Sequence, residues 1–236
     1  MKARSPGLVS IVAFGYALLY IPIVSVVIYS FNDSRLVTLW GGFSLRWYAS
    51  LLEDEKLLEA ALLSLRIAFL SATFATALGA IVALALHRLT RLRGRLLLSG
   101  MVTAPLVMPE IITGLSLLFL FISMANLIGW PMSRGATTIT IAHITFSMAY
   151  VVVVVRSRLA AMDESLEEAA MDLGGRPVAV FFDVTVPMLL PALVSGWLLA
   201  FTLSLDDLVI SSFVSGPGAT TLPMYIFAKV RLGVTP

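Results

Sequence analysis

Three acidic residues interrupt long apolar runs of this 236-residue chain. Asp206 and Asp207 lie side by side near the end of one run, and Glu110 lies midway along another, directly after Pro109. A carboxylate inside a membrane-length apolar segment is costly, so such a residue is a functional candidate by default. The chemistry that these side chains offer is the attraction of a cation, such as an ammonium group that crosses the membrane.

A structural explanation competes with this function at each acid. One of Asp206 and Asp207 could instead pair with Arg66, or be satisfied where the helix breaks at residues 216–218. Glu110 follows prolines that should interrupt one helix and start another, and the positive end of the restarted helix would stabilise its charge. The sequence leaves the pathway function and the structural function open at all three positions.

These residues do not form a recognisable catalytic set. Two neighbours on one helix diverge by about 100° around its axis, so Asp206 and Asp207 cannot share a proton as a protease dyad does. No serine, histidine and acid stand out at a common depth. His143 is alone on an apolar face with no second metal ligand nearby, a pattern that favours a packed or interhelical hydrogen-bonding histidine. We therefore predict no catalytic site, no metal site and no enzyme activity.

The elements that position these residues follow from composition. Hydrophobic residues make up 59% of the chain and charged residues 13%, and the mean hydropathy of +0.97 lies far from that of a soluble domain. Since no alternating pattern indicates a barrel, we predict an all-α, polytopic transmembrane helical bundle that forms a single domain over residues 1–236. Five runs reach the roughly 20 residues that cross a bilayer as a helix, namely 5–32, 67–86, 96–133, 135–155 and 184–205.

Positive residues orient these spans. Lys2 and Arg4 precede the first run, four arginines crowd the loop 88–95, and three more lie in the loop 156–187. Because Lys and Arg mark cytoplasmic loops, the N-terminus and both loops should face the cytoplasm. The first run is too long for a secretory signal peptide, so we expect it to remain as an anchor. The net charge of +2 reflects this bias, since no basic stripe suited to nucleic acid is present.

The loop 156–187 has ordered chemistry of its own. Ser165 and Glu168 have the spacing of a capping box, and an apolar stripe with helical spacing starts at Leu166. Acidic residues occupy the opposite face. This pattern predicts a short amphipathic helix.

A bend and a second helix should follow. Gly174 and Gly175 suit the left-handed end of a helix, and Pro177 suits the first turn of a helix that we expect to end near Val184. The segment is then either a docking surface for another protein or an amphipathic pair of helices that rests on the bilayer. Its acidic face favours docking, because surface-seeking helices usually carry Lys and Arg there.

The end of this loop resembles the EAA loop of the permease subunits of bacterial ATP-binding-cassette importers. Residues 168–187 read EAAMDLGGRPVAVFFDVTVP, with valine at 184 and 186 where the family usually has Ile and Leu. The resemblance implies that the loop sits in a groove of a separate ATPase subunit. Since the chain has no Gly-Lys-Ser/Thr phosphate loop, ATP is expected to be bound by that partner and no cofactor by this chain. The coupling residues that the resemblance implies are Glu168, Ala169, Ala170 and Gly174.

Three further segments resemble the permeases of spermidine and putrescine importers, most of all the second permease subunit of the putrescine type. They are TAPLVMPEIITGLSLL at 103–118, residues 195–223, and VRLGVTP at 230–236. This type of subunit has six spans, so we expect the chain to lack the sixth. The resemblance implies a polyamine importer of the bacterial inner membrane that works by alternating access. Its other components would be two ATPase subunits, a second similar permease and a periplasmic binding protein.

Two alternative functions remain at this stage. The chain could be a permease for another small substrate, because the family divides among several small cations. It could also be a channel or secondary carrier that needs no ATPase. That second alternative leaves the EAA segment unexplained, and the chain shows no inverted repeat of its own.

Overall fold

A computed structural model describes residues 6–34, 39–89, 93–163 and 165–232. Within these ranges the chain forms α-helices and one π-helical turn, and Asn32 pairs with Phe43 in an isolated antiparallel bridge. The helices are α1 (Pro6–Tyr29), α2 (Arg46–Glu53), α3 (Glu55–Arg88), α4 (Arg95–Val107), α5 (Glu110–Ile128), α6 (Ala136–Ala160), α7 (Ser165–Asp172), α8 (Pro177–Val180), α9 (Val186–Leu205), α10 (Val209–Val214) and α11 (Leu222–Leu232).

Five of the described helical segments are long and apolar enough to cross a membrane, which confirms the predicted class and number of spans. They are Gly7–Tyr29, Glu55–Arg88, Glu110–Ile128, Ala136–Ala160 and Pro177–Leu205. The second span starts well before the predicted residue 67, because α3 continues through its charged first turns. At 34 residues, or about 51 Å, α3 is longer than the ~30 Å apolar layer, so its charged end can lie in water while the helix continues.

The third apolar run is two helices and not one. Residues 108 and 109 have extended backbone, and α5 starts at Glu110. This break confirms the predicted interruption at Pro109, whose ring locks its backbone and lacks an N–H. Pro105, however, stays inside α4, so only the second proline ends the helix. The membrane-length part of the run is α5, and α4 is a shorter apolar helix.

Helices α3, α6 and α9 meet closely at Val151, a fully buried residue of α6. A Cβ atom added to Gly79 of α3 would lie 2.8 Å from the Val151 Cγ1 atom, and one added to Gly196 of α9 would lie 3.4 Å from it. At Gly114 of α5, an added Cβ would lie 2.8 Å from the Phe213 ring of α10. The three glycines therefore permit close helix packing, and such contacts are what hold helices together in lipid.

The chain divides into two compact units, Met1–Leu58 with Ala228–Pro236, and Glu59–Phe227. In the first unit, Asn32 is almost fully buried and organises the turn after α1. Its side-chain oxygen accepts the Gly41 N–H at 2.7 Å, and its amide donates to the Leu39 carbonyl at 2.7 Å. The indole N–H of Trp47 donates to the Asn32 carbonyl at 2.9 Å. The second unit carries every candidate site residue.

Candidate functional site

The amphipathic helix predicted in the loop 156–187 is α7, but its start differs from the prediction. The helix begins at Ser165, and the Asp163 carboxylate accepts the Ser165 N–H at 3.0 Å. The predicted capping box of Ser165 and Glu168 is therefore wrong, because the capping oxygen comes from Asp163. The hydroxyl and the N–H of Ser165 lower the pKa of Asp163 below its ordinary value, so this carboxylate is ionised at neutral pH.

The glycine bend after α7 forms as predicted. Gly174 has a left-handed backbone with φ of 91°. Its N–H donates to the Met171 carbonyl at 2.9 Å, and the Gly175 N–H donates to the Ala170 carbonyl at 3.0 Å. These two bonds make a Schellman motif. Gly175 has a constraint that the sequence did not reveal, since a Cβ atom there would lie 2.7 Å from the Ala170 oxygen.

The second short helix was predicted to end near Val184. It instead continues into the fifth candidate span. Helix α8 passes through a π-helical turn, Phe181–Thr185, directly into α9. In that turn the Val186 N–H donates to the Phe181 carbonyl five residues earlier. The turn ends two residues before Pro187, whose ring would collide with the carbonyl four residues earlier in a regular α-helix. We attribute the continuity to this wider turn, which accommodates the proline.

Glu167 fastens α7 to two other elements. Its carboxylate oxygens accept from the Arg88 guanidinium at 2.6 and 2.7 Å, and its Oε1 atom accepts from the Thr185 hydroxyl at 2.6 Å. Arg88 is the last residue of α3, and Thr185, which is fully buried, ends the π turn. In the sequence, Glu167 stands out only as one of the acidic residues on the polar face of this helix. The signal that could have found this contact is an arginine at the end of one span and a threonine at the start of another.

The predicted coupling residues lie on the open side of this loop. Glu168, Ala169 and Gly174 are exposed, and Ala170 is half-buried. Apolar side chains beside them are also exposed, among them Leu173 at 90%, an unusual fraction for a leucine. A cavity of about 410 Å³ at the same site is lined by His87, Arg88, Leu159, Met162, Asp163, Glu167, Glu168 and Met171. The surface that the loop offers is therefore mixed, with carboxylates beside uncovered apolar groups.

The three predicted pathway acids come together in space. Glu110, Asp206 and Asp207 all line a cavity of about 250 Å³, although α5 and α9 are far apart in sequence. The remaining lining residues are Phe146, Leu203, Leu208 and Val209. Glu110 and Asp206 are exposed, whereas the Asp207 side chain is only 6% exposed. The cavity thus combines free carboxylates with an apolar wall.

Asp207 takes part in a structural arrangement that differs from the two weighed in the sequence. Its Oδ1 atom accepts the Ile210 N–H at 3.1 Å, and its Oδ2 atom accepts the Ser211 N–H at 2.7 Å, so it caps α10. Its Oδ2 atom also lies 3.1 Å from the His143 Nε2 atom, whereas the partner weighed in the sequence was Arg66. The backbone N–H groups that it accepts belong to the break between α9 and α10 and not to residues 216–218. Glu110 occupies the first turn of α5, as the helix-end explanation expects.

His143 is the centre of a buried polar cluster, which we call the histidine network. Its Nδ1 atom lies 2.6 Å from the Ser204 hydroxyl, and its Nε2 atom lies 3.1 Å from both Asp207 Oδ2 and the Ser211 hydroxyl. Ser71 of α3 extends the network, since its hydroxyl donates to Ser204 at 2.9 Å. The predicted interhelical hydrogen-bonding histidine is confirmed, and it joins α6 to α9 and α10.

This network corrects the expectation that no serine, histidine and acid share a depth. Ser204, His143 and Asp207 do meet, across 61 and 64 residues of sequence. The arrangement is closed to a substrate, however, because Ser204 is 5% exposed and already accepts from Ser71. Nucleophilic catalysis needs a serine that can reach a reacting carbon. The three residues are therefore packed as a structural network.

Comparison with known proteins bears on the family resemblance. The family described as "Binding-protein-dependent transport system inner membrane component" matches residues 75–229. The chain is 59% identical to the Escherichia coli K12 "Putrescine transport system permease protein PotI", over 99% of this chain and 83% of that protein. It is 46% identical to the "Spermidine/putrescine transport system permease protein PotC" of Haemophilus influenzae, over 94% of this chain and 83% of that protein.

Two solved structures share the fold at low sequence identity. A bacterial ABC transporter involved in the import of alginate has a TM-score of 0.73 at 19% identity, covering 99% of this chain and 84% of its own. An amino acid ABC transporter has a TM-score of 0.56 at 20% identity, covering 79% and 84%. The sequence relatives are named as transport permeases, so the chain is a transport component and not an enzyme. The resemblance seen in its EAA segment is confirmed, and the chain belongs to the family of binding-protein-dependent transport system inner membrane components.

Proposed function

We propose that this chain is the membrane-spanning permease subunit of an ATP-driven polyamine importer. The observation that carries the proposal is the 59% identity to a putrescine permease over 99% of the chain. The matched region contains both the cavity and the loop. The substrate class of the relative is therefore our hypothesis for this chain. Putrescine is the first substrate to test and spermidine the second.

The cavity beside α9 has the chemistry that a polyamine requires. A polyamine carries ammonium groups at intervals along an apolar methylene chain. Glu110 and Asp206 offer exposed carboxylates to the ammonium groups, and Phe146 and Leu203 offer apolar surface to the methylenes. An ion pair is stronger where lipid and protein exclude water than it is in bulk solvent. These features support the view that Glu110 and Asp206 form part of the transport pathway.

The loop from α7 to the π turn supplies a route for coupling to ATP hydrolysis. In this proposal, α7 docks into an ATPase subunit through the exposed surface around Glu168, Ala169 and Leu173. Glu167 then passes a displacement of α7 to Arg88 at the end of α3 and to Thr185 at the start of α9. Movement of both spans would alternate access to the cavity between the two sides of the membrane.

The assembly that we propose has three kinds of partner subunit and one location. The chain lies in the bacterial inner membrane with its N-terminus in the cytoplasm, in agreement with the arginine-rich loops. It pairs with a second, similar permease and works with two ATPase subunits and a periplasmic polyamine-binding protein. ATP is bound by the ATPase subunits, because this sequence contains no phosphate loop.

Uptake into proteoliposomes tests this proposal. The complete assembly is reconstituted with ATP inside the vesicles and binding protein outside, and uptake of labelled putrescine and spermidine is measured. We expect saturable uptake that stops when the ATPase subunits carry a substitution in their phosphate loop. Uptake that persists with the inactive ATPase would favour a channel or secondary carrier. Absence of polyamine uptake despite verified assembly and ATP hydrolysis would favour another small substrate.

A further inference from the structure

Two neighbouring acids at the end of α9 have different surroundings, and this difference assigns them different roles. We propose that His143 and Asp207 form a positioning pair, which fixes the break between α9 and α10 and thereby the wall of the cavity. Neither residue of the pair binds the transported cation. This inference rests on the proposed function, which supplies the cation and the pathway.

The hydrogen bonds of Asp207 leave it little capacity for a cation. Both of its carboxylate oxygens accept backbone N–H groups of α10, from Ile210 and Ser211, and Oδ2 also meets the His143 Nε2 atom. Three donors therefore occupy this buried carboxylate, and a cation that approached it would compete with hydrogen bonds already made. Asp206, one residue earlier, is exposed to the cavity.

The hydrogen bonds of the histidine network also fix the imidazole. A carboxylate only accepts hydrogen bonds, so the His143 Nε2 atom donates to Asp207 whether the imidazole is neutral or charged. The Nδ1 atom meets the Ser204 hydroxyl, which also accepts from Ser71. The imidazole is therefore held at both nitrogens, and its orientation determines where Asp207 lies.

His143 and Asp207 lie at a backbone break. Helix α9 ends at Leu205 and α10 begins at Val209, so the direction of α10 depends on how its N-terminus is held. On its other side, α10 packs Phe213 against Gly114 of α5, where an added Cβ would lie 2.8 Å away. A shift of α10 would therefore move both walls of the cavity, one at Asp206 and the other at α5.

Uptake kinetics separate a positioning pair from a cation ligand. In the reconstituted assembly, Asp206→Asn should raise KM for putrescine by about tenfold, because it removes a charge that the cation meets. His143→Leu and Asp207→Ala should each lower the maximal rate by about tenfold with KM within about twofold. The double variant should be no slower than the slower single variant, since the two residues act as a unit.

Conservative substitutions provide the matched controls. Asp207→Asn keeps one acceptor oxygen for α10, and His143→Gln keeps a donor and an acceptor, so both should lose no more than about threefold in rate. If Asp207→Ala fails to assemble, these variants still show whether Asp207 positions α10 or binds the cation. The proposal is overturned if Asp207→Asn raises KM as much as Asp206→Asn does, or if the losses of His143→Leu and Asp207→Ala multiply.

A second readout does not depend on transport. The chain contains no cysteine, so Leu208→Cys places a single thiol in the break between α9 and α10. We expect His143→Leu to change the rate of maleimide labelling at this thiol by about fivefold or more, and Asp206→Asn to leave it within about twofold. An unchanged rate in His143→Leu would refute the positioning role. This result holds even if the wild-type assembly transports no polyamine, which would refute only the proposed function.

Discussion

The coupling loop and the histidine network both join helices through polar side chains, but they do so in opposite surroundings. In the loop, Glu167 is partly exposed, and the Arg88 side chain that it contacts is 45% exposed. In the network, His143 is 2% exposed and Ser211 is fully buried. The contact between Glu167 and Arg88 is made where water competes, and the histidine network lies where lipid and protein exclude water.

This contrast separates the part of the molecule that has to move from the part that has to stay in place. An exposed ion pair contributes about 0–1 kcal/mol, so it can break and re-form as a partner pushes on the loop. A buried polar network is costly to open, because its atoms find no water when their partners leave. We therefore expect substitutions in the loop to affect coupling, and substitutions in the network to affect the shape of the cavity.

The largest expected effect lies at the bend of the loop. Gly174→Asp should abolish uptake while membrane insertion stays normal, because a side chain at φ of 91° strains the turn and intrudes on the docking surface. Uptake and the amount of protein in the membrane are measured together. Gly174→Ala is the control, since it adds the strain, about 1 kcal/mol, without the bulk and charge. Normal uptake by Gly174→Asp would refute the assignment of this loop.

Breaking the ion pair at Glu167 should have the next largest effect. Glu167→Gln should lower uptake by about tenfold while ATPase subunits still bind and hydrolyse ATP. The helix can still dock, but without the carboxylate charge its hydrogen bonds to Arg88 are weaker and transmit less of its displacement to α3. Asp172→Asn, which makes the same charge change on the same helix, should leave uptake within about twofold. A loss of ATPase binding in Glu167→Gln would show that the residue contacts the partner directly.

A smaller effect is expected when a free carboxylate of the cavity is neutralised. Glu110→Gln should raise KM for putrescine by about three- to tenfold without weakening ATPase binding, because it removes attraction for the ammonium group and leaves the loop intact. Glu110→Asp keeps the charge and serves as the control. Unchanged kinetics in Glu110→Gln would mean that Glu110 does not bind the cation and has only a structural role at the start of α5.

The smallest effect concerns packing at Val151, where the chain offers a matched pair of glycines. Gly79→Ala should destabilise the protein by about 1–3 kcal/mol, because its methyl group would overlap the Val151 side chain. Gly196→Ala should change the stability by less than about 0.5 kcal/mol, because its methyl group would make ordinary contact with the same side chain. Thermal unfolding in detergent compares the two. Equal stability would mean that α3 can withdraw from α6 without cost.

The sequence predicts those features that local patterns determine. Apolar length alone locates five spans, and glycine chemistry locates the bend at Gly174. The position of Glu110 and Asp206 on one cavity could not be predicted, because it depends on how α5 packs against α10 and α6. The same reason hides the contact of His143 with Asp207 and that of Arg88 with Glu167, which join residues far apart in the chain. The continuity of α8 and α9 was missed because a proline ordinarily indicates a helix boundary.

The π turn before Pro187 has a geometric consequence for everything that follows it. Each residue of a helix advances the side-chain direction by about 100°, and a π turn is equivalent to one extra residue in the helix. The side chains of α9 that face α6 are therefore not those that would face it if the helix were regular throughout. The face is rotated around the helix axis by about 100°. Removing one residue from Phe181–Thr185 would rotate Ser204 out of the histidine network and Asp206 out of the cavity, although neither residue would itself have changed. The loop thus determines the angular register of the span as well as its attachment.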